Sequence, residues 1–245
     1  MRLFLILAVA FGLAGCMEVP AGAERPAPEA AAEKAPVKPS AQAARMFVEV
    51  AQAVEPVAEA QCRELAPGIN CDFKIVVDNK DGGEANAHQF LTRGGRPILM
   101  FNFGLINMVR NSDELAFVMC HEAAHHIAGH LAMQEINARQ GAAVLAELAS
   151  ANGASTKEIR EARELGATLG ALQYSKEFEL EADELGTIIT LRAGYNPMIG
   201  ARFFNRLPNP GDKMLGTHPP NSARVEAVRR TAKNYLASEF VADFQ

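Results

Sequence analysis

The sequence predicts an α+β domain that is mostly helical and includes a small, mainly antiparallel sheet. Three short segments of strand-like composition lie together between residues 72 and 103. Helical periodicity of the apolar residues then runs, with breaks, from residue 112 to about residue 240. One sheet followed by several helices is typical of the α+β class.

The first residues resemble a bacterial lipoprotein signal. Arg2 supplies a positive charge, and residues 3–13 form an apolar run of a length typical of secretion signals. The string Leu13-Ala14-Gly15-Cys16 then resembles a lipobox, which implies cleavage before Cys16 and lipidation of its thiol. We therefore interpret residues 1–15 as a lipoprotein signal peptide. The alternative is an ordinary secretory signal with a chance cysteine.

Residues 16–44 are predicted to form a tether between the lipidated Cys16 and a folded domain at residues 45–245. The segment is rich in Ala, Pro and Glu and offers little apolar surface for burial, so we expect it to be disordered. An extended tether of this kind would hold the folded domain away from the membrane.

Charge and hydropathy argue against two broad classes of protein. The formal net charge is −5, whereas a general nucleic-acid binder normally has a basic face. No run of 18 apolar residues occurs, so a permanent membrane-spanning helix is not expected.

Three cysteines follow Cys16. Cys62 and Cys71 flank a turn-like Pro67-Gly68, and an oxidising compartment would favour a disulfide between them. Two free thiols are the alternative. Cys120 lies in an apolar helical run and is predicted to be buried and inert.

The folded domain is predicted to begin with a helix over residues 45–65. Its apolar side chains recur at helical spacing, but Pro56 interrupts the pattern and allows a kink or a split. Strands and a connecting turn follow: strands at residues 72–77, 85–91 and 97–103, and a turn at residues 78–83.

A capped helix is predicted from Ser112 to about residue 137. Asn111 or Ser112 is suited to the cap, and Asp113 and Glu114 suit the positive end of the helix dipole. The Ala and Gly content of the next two helices indicates close packing or a mobile flap. The later helices are predicted at residues 138–151, 156–171, 173–193 and 221–240.

The string His121-Glu122-Ala123-Ala124-His125 is the strongest chemical signal in the chain. Two histidines four residues apart lie on one face of a helix, so both imidazoles can reach one metal ion. Neutral imidazole nitrogens suit zinc. Glu122 would lie beside the open coordination position, where a carboxylate can take a proton from an activated water.

A catalytic zinc site needs a third protein ligand and an open fourth position. On a straight helix, His126 and His130 lie too far round from His125 to share its metal, so we expect surface or packing roles for both. The remaining candidates are carboxylates on the helix predicted over residues 173–193.

Two of these carboxylates share a face of that helix. Glu179 and Asp183 are four residues apart, and the nearby Gly186 would allow another helix to approach closely. Three other acids group on a different side, where a solvated charged face is expected: Glu177, Glu181 and Glu184. Periodicity alone does not choose between Glu179 and Glu181.

The HExxH string together with Ser175–Asp183 resembles the M48 family of zinc metallopeptidases. Its members pair HExxH with a downstream SRxxExxAD-type helix, which this chain matches except for Lys176 in place of Arg. The resemblance implies a gluzincin-type domain in which Glu179 joins His121 and His125 as a zinc ligand. Asp183 would then orient a ligand histidine.

Two further elements resemble the same family. Asn86-Ala87 is similar to its NA element, an edge strand that pairs with the substrate backbone. Thr217-His218-Pro219-Pro220, followed by Arg224, is similar to its THPxxxxR element. The resemblance implies that His218 donates to the oxyanion or transiently occupies the zinc, and that Arg224 fixes the carboxylates of the site.

The resemblance therefore implies a metalloendopeptidase with one zinc ion per chain and polypeptide substrates, with unfolded or misassembled envelope proteins as the expected substrate class. A lipid anchor would place it in a bacterial envelope facing the periplasm, and Met17 rather than Asp after Cys16 favours the outer membrane over the inner. One alternative is a catalytically quiet, zinc-containing assembly factor or chaperone. Another is a structural envelope lipoprotein with an accidental HExxH. The specific substrate and the oligomeric state stay open.

Overall fold

The structure, a computed structural model, describes residues 37–80, 84–173, 175–209 and 218–242. The predicted signal peptide, Cys16 and residues 16–36 of the predicted tether lie outside the described residues. The predicted fold class is confirmed, because the domain is mostly helical and contains one small sheet. Among the described residues, no helix combines the length and the apolar composition that a membrane span requires.

Helix α1 covers Ala41–Leu65 and is a single helix that includes Pro56. It begins four residues earlier than predicted because the Ser40 hydroxyl accepts a hydrogen bond from the Ala43 N–H at 3.1 Å and caps it. Residues 41–44, which composition assigned to the tether, therefore form its first turn. The buried side of the helix carries Val50 and Val54, which anchor it to the core.

In the described part of the chain, the sheet has three strands: β1 (Lys74–Asp78), β2 (Ala87–Leu91) and β3 (Pro97–Asn102). Its order is β1-β3-β2, and β3 pairs in antiparallel with β2 but in parallel with β1. The sheet is thus mixed, and only one of its two pairings is antiparallel. The chain reverses after β1 and again after β2, so β3 regains the direction of β1, beside which it lies. β2 is left as an edge strand.

Asn102 connects the sheet to α2 (Phe103–Met108), a short helix that the sequence analysis did not predict. Its side-chain oxygen accepts from the Leu105 N–H at 2.9 Å and caps the helix. The same oxygen accepts from the Asn86 N–H at 3.0 Å, and the Asn102 amide group donates to the Glu84 carbonyl at 2.7 Å. These bonds hold the segment that leads into β2.

The helix predicted from residue 112 to about 137 begins as expected, but the predicted end is wrong because the helix ends at Ile127. Helix α3 covers Ser112–Ile127 and α4 covers His130–Ala151. The break lies at Gly129, whose φ of +71° is a left-handed conformation that glycine adopts without steric cost. α3 begins where the Asn111 side chain accepts from the Glu114 N–H, and it packs in the centre of the domain against α1, β2 and two helices from the later part of the chain.

Helices α4 and α5 (Thr156–Leu172) form a closely packed antiparallel hairpin. A Cβ atom added at Gly166 would lie 2.2 Å from the carbonyl oxygen of Gly141, far inside van der Waals contact. The backbones therefore touch, which confirms close packing as the explanation for the Ala and Gly content of these helices.

Replacing Gly166 with alanine should destabilise the protein although alanine is the better helix former. The gain in helix propensity is about 1 kcal/mol. Overpacking against a backbone oxygen should outweigh it and lower the free energy of unfolding by about 1–3 kcal/mol. Urea denaturation followed by circular dichroism measures the change. Thr168→Ala, at an exposed position on the same helix, should stay within about 0.5 kcal/mol of the wild type. A Gly166→Ala protein as stable as the wild type would contradict the expectation.

The remaining elements close the domain around α3. They are α6 (Ser175–Arg192), α7 (Pro197–Gly200), a 3₁₀ turn (Ala201–Arg206) and α8 (Asn221–Ala242). A Cβ atom added at Gly186 of α6 would lie 3.0 Å from the backbone nitrogen of His121. The predicted close approach at Gly186 is thus present, and it brings the acids of α6 towards the histidines of α3.

The cysteines outside the N-terminal segment fall into two environments. Cys62 and Cys71 are joined by a disulfide bond, which ties the end of α1 to the segment that precedes β1. Cys120 is a fully buried free cysteine in α3. Burial raises the pKa of its thiol to about 12, so the thiol is neutral, and the inert character expected for it is consistent with this environment.

Candidate active site

His121 and His125 of α3 meet Glu179 of α6 in one cluster. The two Nε2 atoms are 3.0 Å apart. The Glu179 carboxylate lies 3.6 Å from His121 Nε2 and 3.4 Å from His125 Nε2. Within the described part of the chain, these three residues are the only group of metal-binding side chains whose ligand atoms all lie within 4.8 Å of one another. The geometry thus separates Glu179 from Glu181, which periodicity did not.

The cluster has the features of a site built for a cation. Oε2 of Glu179 is buried, and no described group donates a hydrogen bond to it in good geometry, although nitrogens of His121, His218 and Arg224 lie within 3.6 Å. Two imidazole nitrogens also face each other across the cluster. Two histidine nitrogens and one carboxylate oxygen form a donor set that suits zinc with an open fourth position. The residues present therefore fit the metal that the sequence motif implies.

Asp183 and Arg224 form a buried ion pair behind the cluster. Two Arg224 nitrogens donate to the two Asp183 oxygens, each at 2.7 Å. Asp183 Oδ1 also lies 3.0 Å from His121 Nδ1, so the Nε2 atom of that ring is directed at the cluster. The Arg224 guanidinium lies over the Phe204 ring, 3.9 Å from its centroid. This pair therefore fixes the orientation of one histidine of the cluster.

Close approach of histidines and carboxylates sets the pKa values of the site. Burial lowers the pKa of His121, but the neighbouring carboxylates of Asp183 and Glu179 outweigh it and raise that pKa to about 9. Burial raises the pKa of Glu179, but the imidazoles of His121, His125 and His218 beside its carboxylate outweigh burial and hold that pKa well below its ordinary value. Glu179 is therefore ionised, as a metal-binding carboxylate must be.

Glu122 lies beside the histidine cluster and lines the same cleft. Its side chain is on the buried side of α3, and burial raises the pKa of the carboxyl above its ordinary value. A carboxylate whose pKa is shifted towards neutrality is better able to accept and return a proton near pH 7.

His218 also lines this cleft and lies just before α8. Its Nδ1 is 3.0 Å from Glu179 Oε2, and its side chain is about half exposed, in contrast to the buried histidines of α3. Thr217, which precedes it in the predicted motif, lies outside the described residues. The structure thus brings His218 to the cluster from a distant part of the chain.

The cleft at the cluster has a volume of about 310 Å³. Ala87 at the start of β2 and the preceding Asn86 line it, and the outer edge of β2 does not pair with a described strand. Helix α3 lines the cleft with His121, Glu122 and His125, and residues of the 3₁₀ turn and α8 line it as well. An edge strand therefore runs beside the candidate metal centre.

The two histidines that were not expected to share the metal of His125 have different surroundings. His126 is buried, its Nε2 lies 2.8 Å from the Asn70 carbonyl oxygen, and its ring contacts Phe73, which is the expected packing role. His130 is also outside the cluster, but the break at Gly129 turns it back towards His125, with the two Nδ1 atoms 2.9 Å apart. The straight-helix assumption concealed this contact. The Gly before His130 was a signal that permits such a break but does not require it.

Comparison with known proteins identifies relatives of this chain. The model of peptidase family M48 matches residues 46–232. A provisionally named beta-barrel assembly-enhancing protease of Vibrio cholerae is 32% identical over 169 residues, which are 62% of this chain and 34% of the relative. The mitochondrial metalloendopeptidase OMA1 of Arabidopsis thaliana is 29% identical over 160 residues, 64% of this chain and 31% of the relative.

A third relative is the beta-barrel assembly-enhancing protease of Yersinia pestis. It is 27% identical over 180 residues, 68% of this chain and 36% of the relative. The aligned part therefore spans about a third of the length of each of these relatives, 31–36%. The likeness concerns the domain that carries the histidine cluster.

Proposed function

The chain belongs to peptidase family M48, a family of metallopeptidases, and we propose that it is a zinc-dependent endopeptidase. The observation that carries the proposal is the convergence of Glu179 with His121 and His125 beside a cleft that also contains Glu122. The metal would be one zinc ion held by these two histidines and Glu179. A purely structural zinc site would not need an additional buried carboxylate at an open cleft.

Zinc in this site would supply Lewis acidity, which polarises a peptide carbonyl and lowers the pKa of water to about 7. The protein's own part in the reaction begins with Glu122. Its carboxylate accepts a proton from the attacking water and then delivers that proton to the leaving amine. No covalent bond forms between the protein and the substrate.

Three other residues assist without exchanging the proton. Asp183 holds His121 through Nδ1, and Arg224 keeps Asp183 in place and contributes positive charge near Glu179. His218 is proposed to donate a hydrogen bond to the oxygen on which negative charge develops. Its partial exposure on the cleft wall leaves it accessible to a bound peptide.

The substrate is proposed to bind as an extended peptide. The outer edge of β2, which pairs with no described strand, offers backbone groups near Asn86 and Ala87 that pair with an added strand and direct the peptide past Glu122. Unfolded or misassembled envelope proteins supply such segments. This substrate class draws support from the names of the bacterial relatives, which describe beta-barrel assembly.

The proposed location is the bacterial envelope. We propose that residues 1–15 are removed, that Cys16 carries the lipid, and that residues 16 to about 40 form the tether. The domain would then face the periplasm, at the outer membrane rather than the inner. Mature protein labelled with a radioactive fatty acid, compared with Cys16→Ser, tests the anchor.

Casein cleavage measured together with zinc content tests the proposed activity. The purified full chain should contain about one zinc per molecule and cleave casein. A chelator should remove both zinc and activity, and added zinc should restore them. Zinc binding without cleavage of casein or other unfolded proteins would contradict the endopeptidase proposal and favour the quiet assembly factor. Absence of zinc after reconstitution would contradict the metal site itself.

A further inference from the structure

The geometry points to His130 as the residue that positions the zinc ligand His125, with Glu181 fixing the tautomer of His130. This inference rests on the proposed zinc site but not on peptide cleavage. It assigns a role to His130, for which the sequence predicted a surface or packing role. It also assigns one to Glu181, for which a solvated face was expected although periodicity left it as an alternative to Glu179.

The contacts form a chain of three side chains. His125 Nε2 faces the cluster, 3.0 Å from His121 Nε2, and His125 Nδ1 lies 2.9 Å from His130 Nδ1. On its other side, His130 Nε2 lies 3.2 Å from a Glu181 oxygen. The cluster is thus connected through two imidazoles to a carboxylate whose side chain is 62% exposed.

The residues at the two ends of this series of side chains, His125 and Glu181, determine where its protons lie. Ligation through Nε2 requires His125 to carry its proton on Nδ1, so His125 is the donor towards His130. His130 must then accept at Nδ1 and carry its own proton on Nε2. The Glu181 carboxylate is only an acceptor and requires that same tautomer. Each donor in the series His125, His130 and Glu181 therefore meets one acceptor.

The surroundings of His130 hold its ring in the required plane. The residue is 3% exposed, and its ring stacks on Phe178 with centroids 4.5 Å apart and an angle of 18°. Gly129 turns the chain so that His130, the first residue of α4, points back at α3.

Helix α6 supplies three parts of this arrangement with one short segment. Glu179 belongs to the cluster, Phe178 carries the His130 ring, and Glu181 accepts from it. Hydrogen bonds of this kind to the outer nitrogen of a ligand histidine orient the ring and raise its basicity. His121 has such a partner in Asp183, and His130 provides the corresponding partner for His125.

Zinc affinity of four variants tests the inference, measured by competition with a chromophoric chelator. His130→Phe keeps an aromatic ring on Phe178 but removes the acceptor, and it should weaken zinc binding about 10- to 100-fold. His130→Asn keeps an oxygen near the position of Nδ1 and should recover most of the affinity. Glu181→Gln, at an exposed position, should have a smaller effect than His130→Phe. His126→Ala removes a buried histidine beside His125 that packs away from the cluster, so it should leave zinc affinity unchanged even if it lowers stability.

The visible absorption spectrum of the cobalt-substituted protein gives a second measurement that is independent of cleavage. His130→Phe should change the d–d bands, whereas His126→Ala should not. Unchanged affinity and spectrum in His130→Phe would overturn the inference, as would an equal loss of affinity in His126→Ala. If the wild type binds no zinc, the proposed function fails. If the wild type and His130→Phe bind zinc equally, only this inference fails.

Discussion

Glu122→Gln should lower kcat/KM for casein or a peptide substrate by about 100- to 10,000-fold, the usual contribution of a general base. The amide has nearly the same shape as the carboxylate, but it cannot accept the proton of the attacking water. Glu122 lies outside the group formed by His121, His125 and Glu179, so zinc content and stability should stay near those of the wild type. Zinc analysis and steady-state kinetics on the same preparation measure both effects.

The matched control for this substitution is Glu177→Gln on the exposed side of α6. It removes the same charge from the chain but should leave kcat/KM unchanged. A Glu122→Gln protein that retains wild-type turnover would remove Glu122 from the proposed mechanism. Loss of zinc from this variant would instead assign Glu122 to metal binding.

Glu179→Gln should produce the second large effect. Unlike Glu122→Gln, it should lower zinc affinity as well as cleavage. The substitution removes the ionised carboxylate that joins the two histidines and leaves a neutral amide in its place. Removing a partner of a ligand histidine already costs about 10–100-fold in metal affinity, so loss of a ligand should cost more than about 100-fold. Cleavage should fall with zinc occupancy and recover in part when excess zinc is added.

Chelator competition and kinetics at increasing zinc concentration measure this second effect. The pair of variants then separates two roles, because Glu122→Gln loses turnover with zinc bound and Glu179→Gln loses turnover by losing zinc. Wild-type zinc affinity in Glu179→Gln would show that the third ligand has been misidentified.

Local rules of helix geometry predicted much of the site. His121 and His125 had to share a face wherever α3 formed, and the cap at Asn111 marked the start of that helix. The small Gly186 indicated the close contact between α6 and α3. These features depend on residues that are close together in the sequence, so they can be predicted from it.

Features that depend on tertiary contacts were not predicted in the same way. Spacing on α6 left Glu179 and Glu181 equivalent, and only the way α6 packs on α3 directs Glu179 to the cluster and Glu181 to His130. The order of the strands also depends on contacts, because two chain reversals do not determine which strand lies in the middle. The M48 resemblance favoured Glu179 where periodicity did not.

The break between α3 and α4 shows how a single backbone angle changes an interpretation of the site. With a continuous helix, His130 lies on the far side from His125. With Gly129 in the left-handed conformation, His130 begins a new helix and lies against the His125 ring. Glycine tolerates either conformation, so the residue type alone did not decide between them.

Anomalous diffraction at the zinc absorption edge, from crystals of the zinc-loaded protein, locates the metal ion and identifies the side chains that bind it. We expect one peak per chain, about 2.0–2.2 Å from His121 Nε2, His125 Nε2 and a Glu179 oxygen. A zinc ion bound by other side chains would contradict the proposed site. So would fully loaded crystals in which Glu179 lies away from the ion and no other acid takes its place. Either result would also contradict the hydrolytic function that depends on this site.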